Sequence, residues 1–348
     1  MSSDRISQKK NLYAIGDELR NYLVKYSREV EIPVRYSDLL RSERSFPVVD
    51  KNGKDTLWEK MFYSQQDHRE LNEGLTRIYS LLKTEGELSV IKHLFVDRID
   101  YCTFGNSNPF RIRIVNQFND NYDYFYVKRA DASRIYGLEL EHVLSPNRIT
   151  YYTDKDTLIE EHIIGVPGDQ FIRDYLHLPN LNRVRIAKEF IKFNERCFVR
   201  LLGDMRSYNY VVDMIQDFEA EQYRVRAIDF DQQSYEGRTN LYKPQYFKNN
   251  NPIVKLCTDL LNLDTARQYQ YEERTLMARR LVSSQYRLKD LLTCMRNDQI
   301  STEEKVSNLK HELAEYHENP SFMKCRNMGE VLTMHLRCCL NTSDQVDI

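Results

Sequence analysis

Apolar residues return at helical spacing in two early runs, Leu12, Ile15, Leu19, Tyr22 and Leu23, and then Leu71, Leu75, Ile78, Leu81 and Leu82. The stretch from Arg5 to about Leu88 therefore reads as mainly helical. Between the two runs, Pro47 and the Lys51-Asn52-Gly53 signal mark Phe46 to Lys54 as a turn-rich interruption. The period then changes. Leu94 to Phe104, Phe110 to Phe118 and Tyr122 to Arg129 are dense in Val, Ile, Phe and Tyr and are separated by Gly105-Asn106-Ser107-Asn108 and Asn119-Asp120-Asn121. Three antiparallel strands joined by short turns are the economical reading.

Asp131 to Leu144 returns to helix, and two more strand-like runs follow, Arg148 to Tyr152 and Thr157 to Ile164. After Gly165-Val166-Pro167-Gly168 the pattern is helical through Phe198. Two short strands, Tyr210 to Ile215 and Tyr223 to Ile228, precede a long helical remainder to about Leu340, in which Ser301 with Glu304 predicts a capping box. The expected class is α+β, with no internal repeat and no extended low-complexity tract.

Composition narrows the function classes more than it names one. The 50 Lys and Arg nearly cancel the 52 Asp and Glu, so no global field draws the chain to nucleic acid or to an anionic membrane. No run approaches the roughly 20 apolar residues of a membrane helix. Met1 to Asn11 is polar where a signal peptide would be apolar, so a soluble, cytoplasmic protein is expected. The seven cysteines show neither paired C-x-x-C spacing nor a His pair beside them, and read as reduced, mostly buried thiols rather than zinc ligands. His142, His162 and His177 read as surface or satisfied core histidines.

The segment Leu202-Gly203-Asp204-Met205-Arg206-Ser207-Tyr208-Asn209 carries the candidate chemistry together with Ile228-Asp229-Phe230-Asp231, which ends the next strand. A carboxylate is followed five residues on by a carboxamide, and a second carboxylate closes the following strand.

These fragments resemble the catalytic core of the protein kinase-like superfamily, and more closely its aminoglycoside phosphotransferase and choline kinase branch. The order of the remaining parts agrees with that resemblance over residues 92 to 235: Tyr126-Val127-Lys128 ends the third strand, a helix with Glu follows, and Thr157 to Gly165 is similar to the hinge strand. The resemblance implies a two-lobed fold, with a helical N-terminal extension (1–90), a sheet-built small lobe (91–165) and a helical large lobe (166–348). It implies ATP and Mg2+ as cofactors and a hydroxyl acceptor, a small molecule because no A-P-E motif follows Asp229.

By the same resemblance Asp204 is the catalytic base, Asn209 and Asp229 hold the metal, and Asp231 is a further ligand or an anchor for the next loop. Lys128 meets the phosphates, Ser107 lies in the phosphate-covering turn, and Glu161 and Ile163 lie on the nucleotide-binding hinge. Lys128 needs a carboxylate to hold its stem. Of Glu139 and Glu141, Glu139 lies toward the apolar face of Tyr136, Leu140, Val143 and Leu144, so it is the expected partner and Glu141 is expected to point away.

Three features depart from the family pattern. Leu202 stands where many members have His, Tyr126 shares a strand face with Lys128 where a small residue is usual, and the turn at Gly105 has one glycine. They support a second class of function, a pseudokinase that serves as a binding or scaffold module. For the N-terminal helices a packing role that caps the small lobe is the first expectation, with binding of a protein partner or shaping of the acceptor site as the alternatives. Transfer of AMP from an inverted nucleotide is a third reading with little in the sequence behind it.

Overall fold

The computed structural model describes residues 10–50, 53–84, 92–216 and 221–340. The chain is α+β. In order, its elements are α1 (Asp17–Lys25), α2 (Tyr36–Leu39), β1 (Arg44–Val49), β2 (Asp55–Phe62), α3 (Gln65–Thr84), β3 (Leu94–Cys102), β4 (Phe110–Asn116), β5 (Tyr122–Arg129), α4 (Ala132–Leu144), β6 (Tyr151–Asp154), β7 (Thr157–Glu161) and β8 (Val166–Pro167). There follow α5 (Gly168–Asp174), α6 (Arg183–Arg200), β9 (Tyr210–Gln216), β10 (Glu221–Ala227), α7 (Asn251–Leu260), α8 (Leu263–Ser283), α9 (Gln285–Asn297), α10 (Glu303–Tyr316) and α11 (Met328–Leu340). Among the described residues no helix is long and apolar enough to cross a membrane.

The chain divides into two compact units, one of residues up to Ala132 together with Ile149–His162, the other of Ser133–Arg148 together with Ile163 onward. The first is built on a seven-stranded sheet of order β1-β2-β3-β4-β5-β7-β6, antiparallel at every neighbour pair. Its core joins Leu71, Leu75, Ile78 and Leu82 of α3 to Val96, Ile99, Ile112, Ile114 and Phe125 of the sheet. The i, i+4, i+7, i+11 spacing of the α3 residues puts them on one stripe, and burying that stripe against the strands is what stabilises the helix.

The first 90 residues are thus not a helical extension. The turn-rich interruption is a hairpin, β1 and β2, and β2 continues the sheet through Trp58 opposite Cys102. Pro47 lacks an amide hydrogen, which excludes it from a central strand but not from β1, the edge of the sheet. Gly53 takes a left-handed φ of 75° in the turn, while Lys51 and Asn52 lie outside the described residues.

In the second unit a three-stranded sheet, β10-β9-β8, is accompanied by the helices from α5 to α11, with α6 packed against α7, α8 and α11. Helix α4, expected with the small lobe, belongs from Ser133 onward to this unit. Helix α10 starts one residue later than its expected box: Thr302 accepts the amide of Lys305 as the cap, and the Ser301 hydroxyl donates to the Tyr235 carbonyl instead.

Candidate functional site

Helix α6 ends on Leu201 in a left-handed conformation, φ 53°. The chain then turns sharply through Leu202, which is buried and bridged to Gln233. The Gly203 amide donates to the Gln232 carbonyl at 3.1 Å, and a Cβ on Gly203 would stand 3.2 Å from that oxygen, which is why glycine suits this position. Asp204 follows with φ 55° and its amide on the Leu241 carbonyl.

The loop is closed by its own polar groups. The Asn209 side-chain amide donates to the Asp204 carbonyl at 2.7 Å and to its Oδ2 at 3.4 Å, and the Arg206 Nε donates to Asp204 Oδ1 at 2.8 Å. The Ile228 amide donates to the Asn209 carbonyl at 3.0 Å, which brings the end of β10, and with it Asp229, beside the loop. Asp204, Asn209 and Asp229 are therefore gathered by two backbone turns rather than by chance proximity. Burial pushes the Asp204 carboxyl above its usual range; Arg206 pulls against this, and Glu236 and Asp231 add to it.

A second cation at this cluster comes from α4. Arg134, 2% exposed, places one Nη1 2.8 Å from Asp229 Oδ1 and 2.8 Å from Asp231 Oδ1, and its Nη2 donates to the Ile228 carbonyl. The Asp231 amide donates to Asp229 Oδ1 at 3.1 Å, and the Ser133 hydroxyl takes up the carbonyls of Asp231 and Gln233. A magnesium ion is the group to test against this set. Asn209 and Asp229 fit it, since one offers a carboxamide and the other a carboxylate whose side chain is one-third exposed. Asp231 does not: it is buried and turned to Arg134, so of its two expected roles the structure favours the anchor over the metal ligand.

In the first unit, Lys128 and Tyr126 stand on one face of β5, and Glu160 of β7 lies directly opposite Tyr126 in the register. The Lys128 ammonium is 2.8 Å from Glu160 Oε2 and 5.3 Å from the Tyr126 ring centre. The carboxylate that the first unit supplies to Lys128 is therefore Glu160, a strand residue outside the pair Glu139 and Glu141. The Tyr126 hydroxyl lies 3.3 Å from His162 Nδ1, and burial raises its pKa to about 12. Ser107 is buried in its turn, where its carbonyl accepts the Arg129 amide. The preceding Asn106 accepts the Lys10 amide, and Lys10 pairs with Asp131 at 2.6 Å, so the N-terminal segment is fastened beside that turn. Glu161 pins β7 to Thr150, its amide donating to the Thr150 carbonyl and its carboxylate accepting the Thr150 amide.

Glu139 and Glu141 are both buried in the second unit, against the expectation that only one faces inward. Glu139 receives Nε and Nη2 of Arg287, both at 2.9 Å, and Glu141 receives Arg200 and the Asn147 amide. The helical-wheel argument fails because α4 is covered on all sides. Ile163, expected on the hinge, is buried where the chain re-enters this unit.

Arg134, Arg206, Glu160 and Arg287 are the residues that sequence reasoning missed. Arg206 had a local signal, two positions after Asp204 in the same loop. The other three are ordinary charged residues whose significance exists only once distant segments meet. No protein-family model matches the chain. No curated protein matches it either.

Proposed function

We propose that the chain is a kinase-like phosphotransferase that moves the terminal phosphoryl group of ATP to a hydroxyl, on a small molecule rather than a protein. The observation that carries this reading is the closed loop of Asp204, Arg206 and Asn209 with Asp229 fastened beside it. Phosphoryl transfer needs little covalent help from a protein. It needs an aimed acceptor and positive charge where oxygen charge develops.

In this reading Asp204 accepts the hydroxyl proton, and its raised carboxyl is a stronger base than an ordinary aspartate. Arg206 aims that carboxylate and supplies charge beside it. Asn209 fixes the loop through the Asp204 carbonyl and, with Asp229, presents oxygen to magnesium, which when bound neutralises phosphate charge. Lys128, steadied by Glu160, carries the phosphate-binding charge of the first unit.

One observation favours a second reading, a pseudokinase that binds without turnover: Arg134 already neutralises Asp229 and Asp231. Thermal unfolding and transfer of labelled γ-phosphate separate the two. The phosphotransferase raises its Tm with ATP only when magnesium is present, loses that rise in Asp229→Ala and Lys128→Ala, and labels a hydroxyl acceptor from a small-molecule panel. A rise with ATP that ignores magnesium, with no transfer to any acceptor, establishes the pseudokinase. No rise with any nucleotide overturns both.

A further inference from the structure

Away from the acidic loop, the second unit gathers two imidazoles and a thiol. His335 and Cys339 stand one turn apart on α11, and His317 follows the end of α10. One ligand atom from each, taken together, lies within 4.8 Å of the others. His317 Nε2 is 2.9 Å from His335 Nδ1, and Cys339 Sγ is 3.8 Å from that Nδ1 and 3.6 Å from Nε2.

The His335 tautomer follows from its neighbours. Its Nε2 lies 3.0 Å from the Phe198 carbonyl, which can only accept, so the proton is on Nε2 and the Nδ1 lone pair faces the cluster. A histidine whose other nitrogen donates to a backbone carbonyl is the usual arrangement for a metal ligand, because that bond fixes the ring and raises its basicity. The rings are also held by packing: Phe198 meets His335 edge-on at 4.8 Å, and Phe322 stacks on His317 at 5.4 Å with planes 7° apart.

Bond lengths of about 2.0–2.1 Å to nitrogen and about 2.3 Å to sulfur around a tetrahedral zinc ion set ligand separations of roughly 3.3–3.6 Å. The nitrogen pair would open by about half an ångström, and the widest separation in the group, up to 4.8 Å, would close by about an ångström, motions within the reach of side-chain torsions. We infer that His317, His335 and Cys339 form a zinc-class metal site, with the fourth position open to water on the side of the half-buried His317.

Burial and the neighbouring cations Arg274 and Lys243 hold both imidazoles neutral, His317 at about 4 and His335 at about 3, so their lone pairs are available at neutral pH. The same burial holds the Cys339 thiol up at about 12, so the metal must displace that proton. The balance is one thiol proton released to solvent for each ion bound, while His317 moves its proton from Nε2 to Nδ1. The formed thiolate offsets part of the ion's charge, and Arg274 is itself paired with Glu195 at 2.5 Å.

Cobalt(II) is the probe, because a thiolate ligand gives it a sulfur-to-metal charge-transfer band and a tetrahedral site gives it intense visible bands. The full chain, stripped by a chelator, is expected to take up one tightly held ion with both bands, to release one proton, and to gain thermal stability when zinc replaces cobalt. Cys339→Ser should lose the charge-transfer band, and His317→Gln should weaken binding by ~10-fold or more. Cys338→Ser, the adjacent thiol, should keep both. His317 is only half-buried, so its variant remains readable if the Cys339 variant folds poorly. Absence of the band in the native chain, its survival in Cys339→Ser, or its loss in Cys338→Ser overturns the assignment.

Discussion

Helices α3 and α4, one in each unit, are built on opposite principles. Helix α3 buries one apolar stripe and leaves Gln66, Arg69, Glu70, Glu73 and Arg77 in water. Its buried polar residues are satisfied locally, Thr76 donating to the Asn72 carbonyl and Ser80 to the Arg77 carbonyl. Helix α4 is buried at every residue except the half-buried His142, and its polar groups reach far along the chain, Arg134 to Asp229 and Asp231, Tyr136 to Asp298, Glu139 to Arg287 and Glu141 to Arg200. An amphipathic helix is held by area and tolerates change on its wet side. A helix covered all round and loaded with charge is held by specific partners, and each partner is indispensable because the other would be left charged in the interior.

The largest effect that tests this contrast is the loss of one buried pair. Glu141→Ala leaves the Arg200 guanidinium, 1% exposed, without its carboxylate and should cost about 3–5 kcal/mol by urea unfolding. Glu70→Ala on the exposed side of α3, where the carboxylate meets Gln66, should fall within about 0.5 kcal/mol of the native chain. Equal small losses at both sites would show that α4 is held by area after all.

Next in size is Gly137→Ala. In a helix interior alanine ordinarily gains about 1 kcal/mol over glycine. Here its Cβ would stand 2.9 Å from the Cβ of Phe230 and 3.1 Å from that of Gln233, so overpacking should reverse the sign and cost about 1–3 kcal/mol. Phe230 lies between Asp229 and Asp231, so if the proposed function holds, the variant should also blunt the magnesium-dependent rise in Tm with ATP that the proposal expects. On α3, Gly74→Ala would press the Val34 Cγ2 at 2.3 Å, and should destabilise while leaving the nucleotide response intact. A stabilised Gly137→Ala protein would remove the argument for close packing of α4 on that strand end.

The same contrast explains how much could be read from the sequence. The stripe of α3, the strands β3, β4 and β5, and the loop from Asp204 to Asn209 were legible because period and short spacing are local properties. The hairpin β1–β2 was not, since Pro47 is a breaker unless the strand is known to be an edge, and edge position is a property of the finished sheet. The wheel of α4 misled for a related reason: it sorts residues into wet and dry faces, and this helix has no wet face. Arg134 was illegible because its two carboxylates are 95 and 97 residues away. The pair of His335 and Cys339 had a local signal in its one-turn spacing, but His317 on another element completes the group.

The smallest effect separates the two kinds of constraint within the acidic loop itself. Burial, the largest influence on Asp204, raises its carboxyl; Arg206 opposes this, and Glu236 and Asp231 reinforce it. A carboxyl raised on folding contributes its stability fully below the ordinary range near about 4 and loses it as pH rises through the folded value, so at neutral pH the ionised side chain weakens the fold. Asn at 204 removes that charge, and it accepts the left-handed φ of 55° more readily than most residues do. Asp204→Asn should therefore raise Tm by about 2 °C or less at pH 7, with the gain fading as pH approaches 4, while abolishing transfer to any acceptor. A fall in Tm at pH 7 would mean that the pair with Arg206 outweighs burial and that Asp204 is held as an anchor, which takes from it the strained, basic character on which the phosphotransferase reading depends.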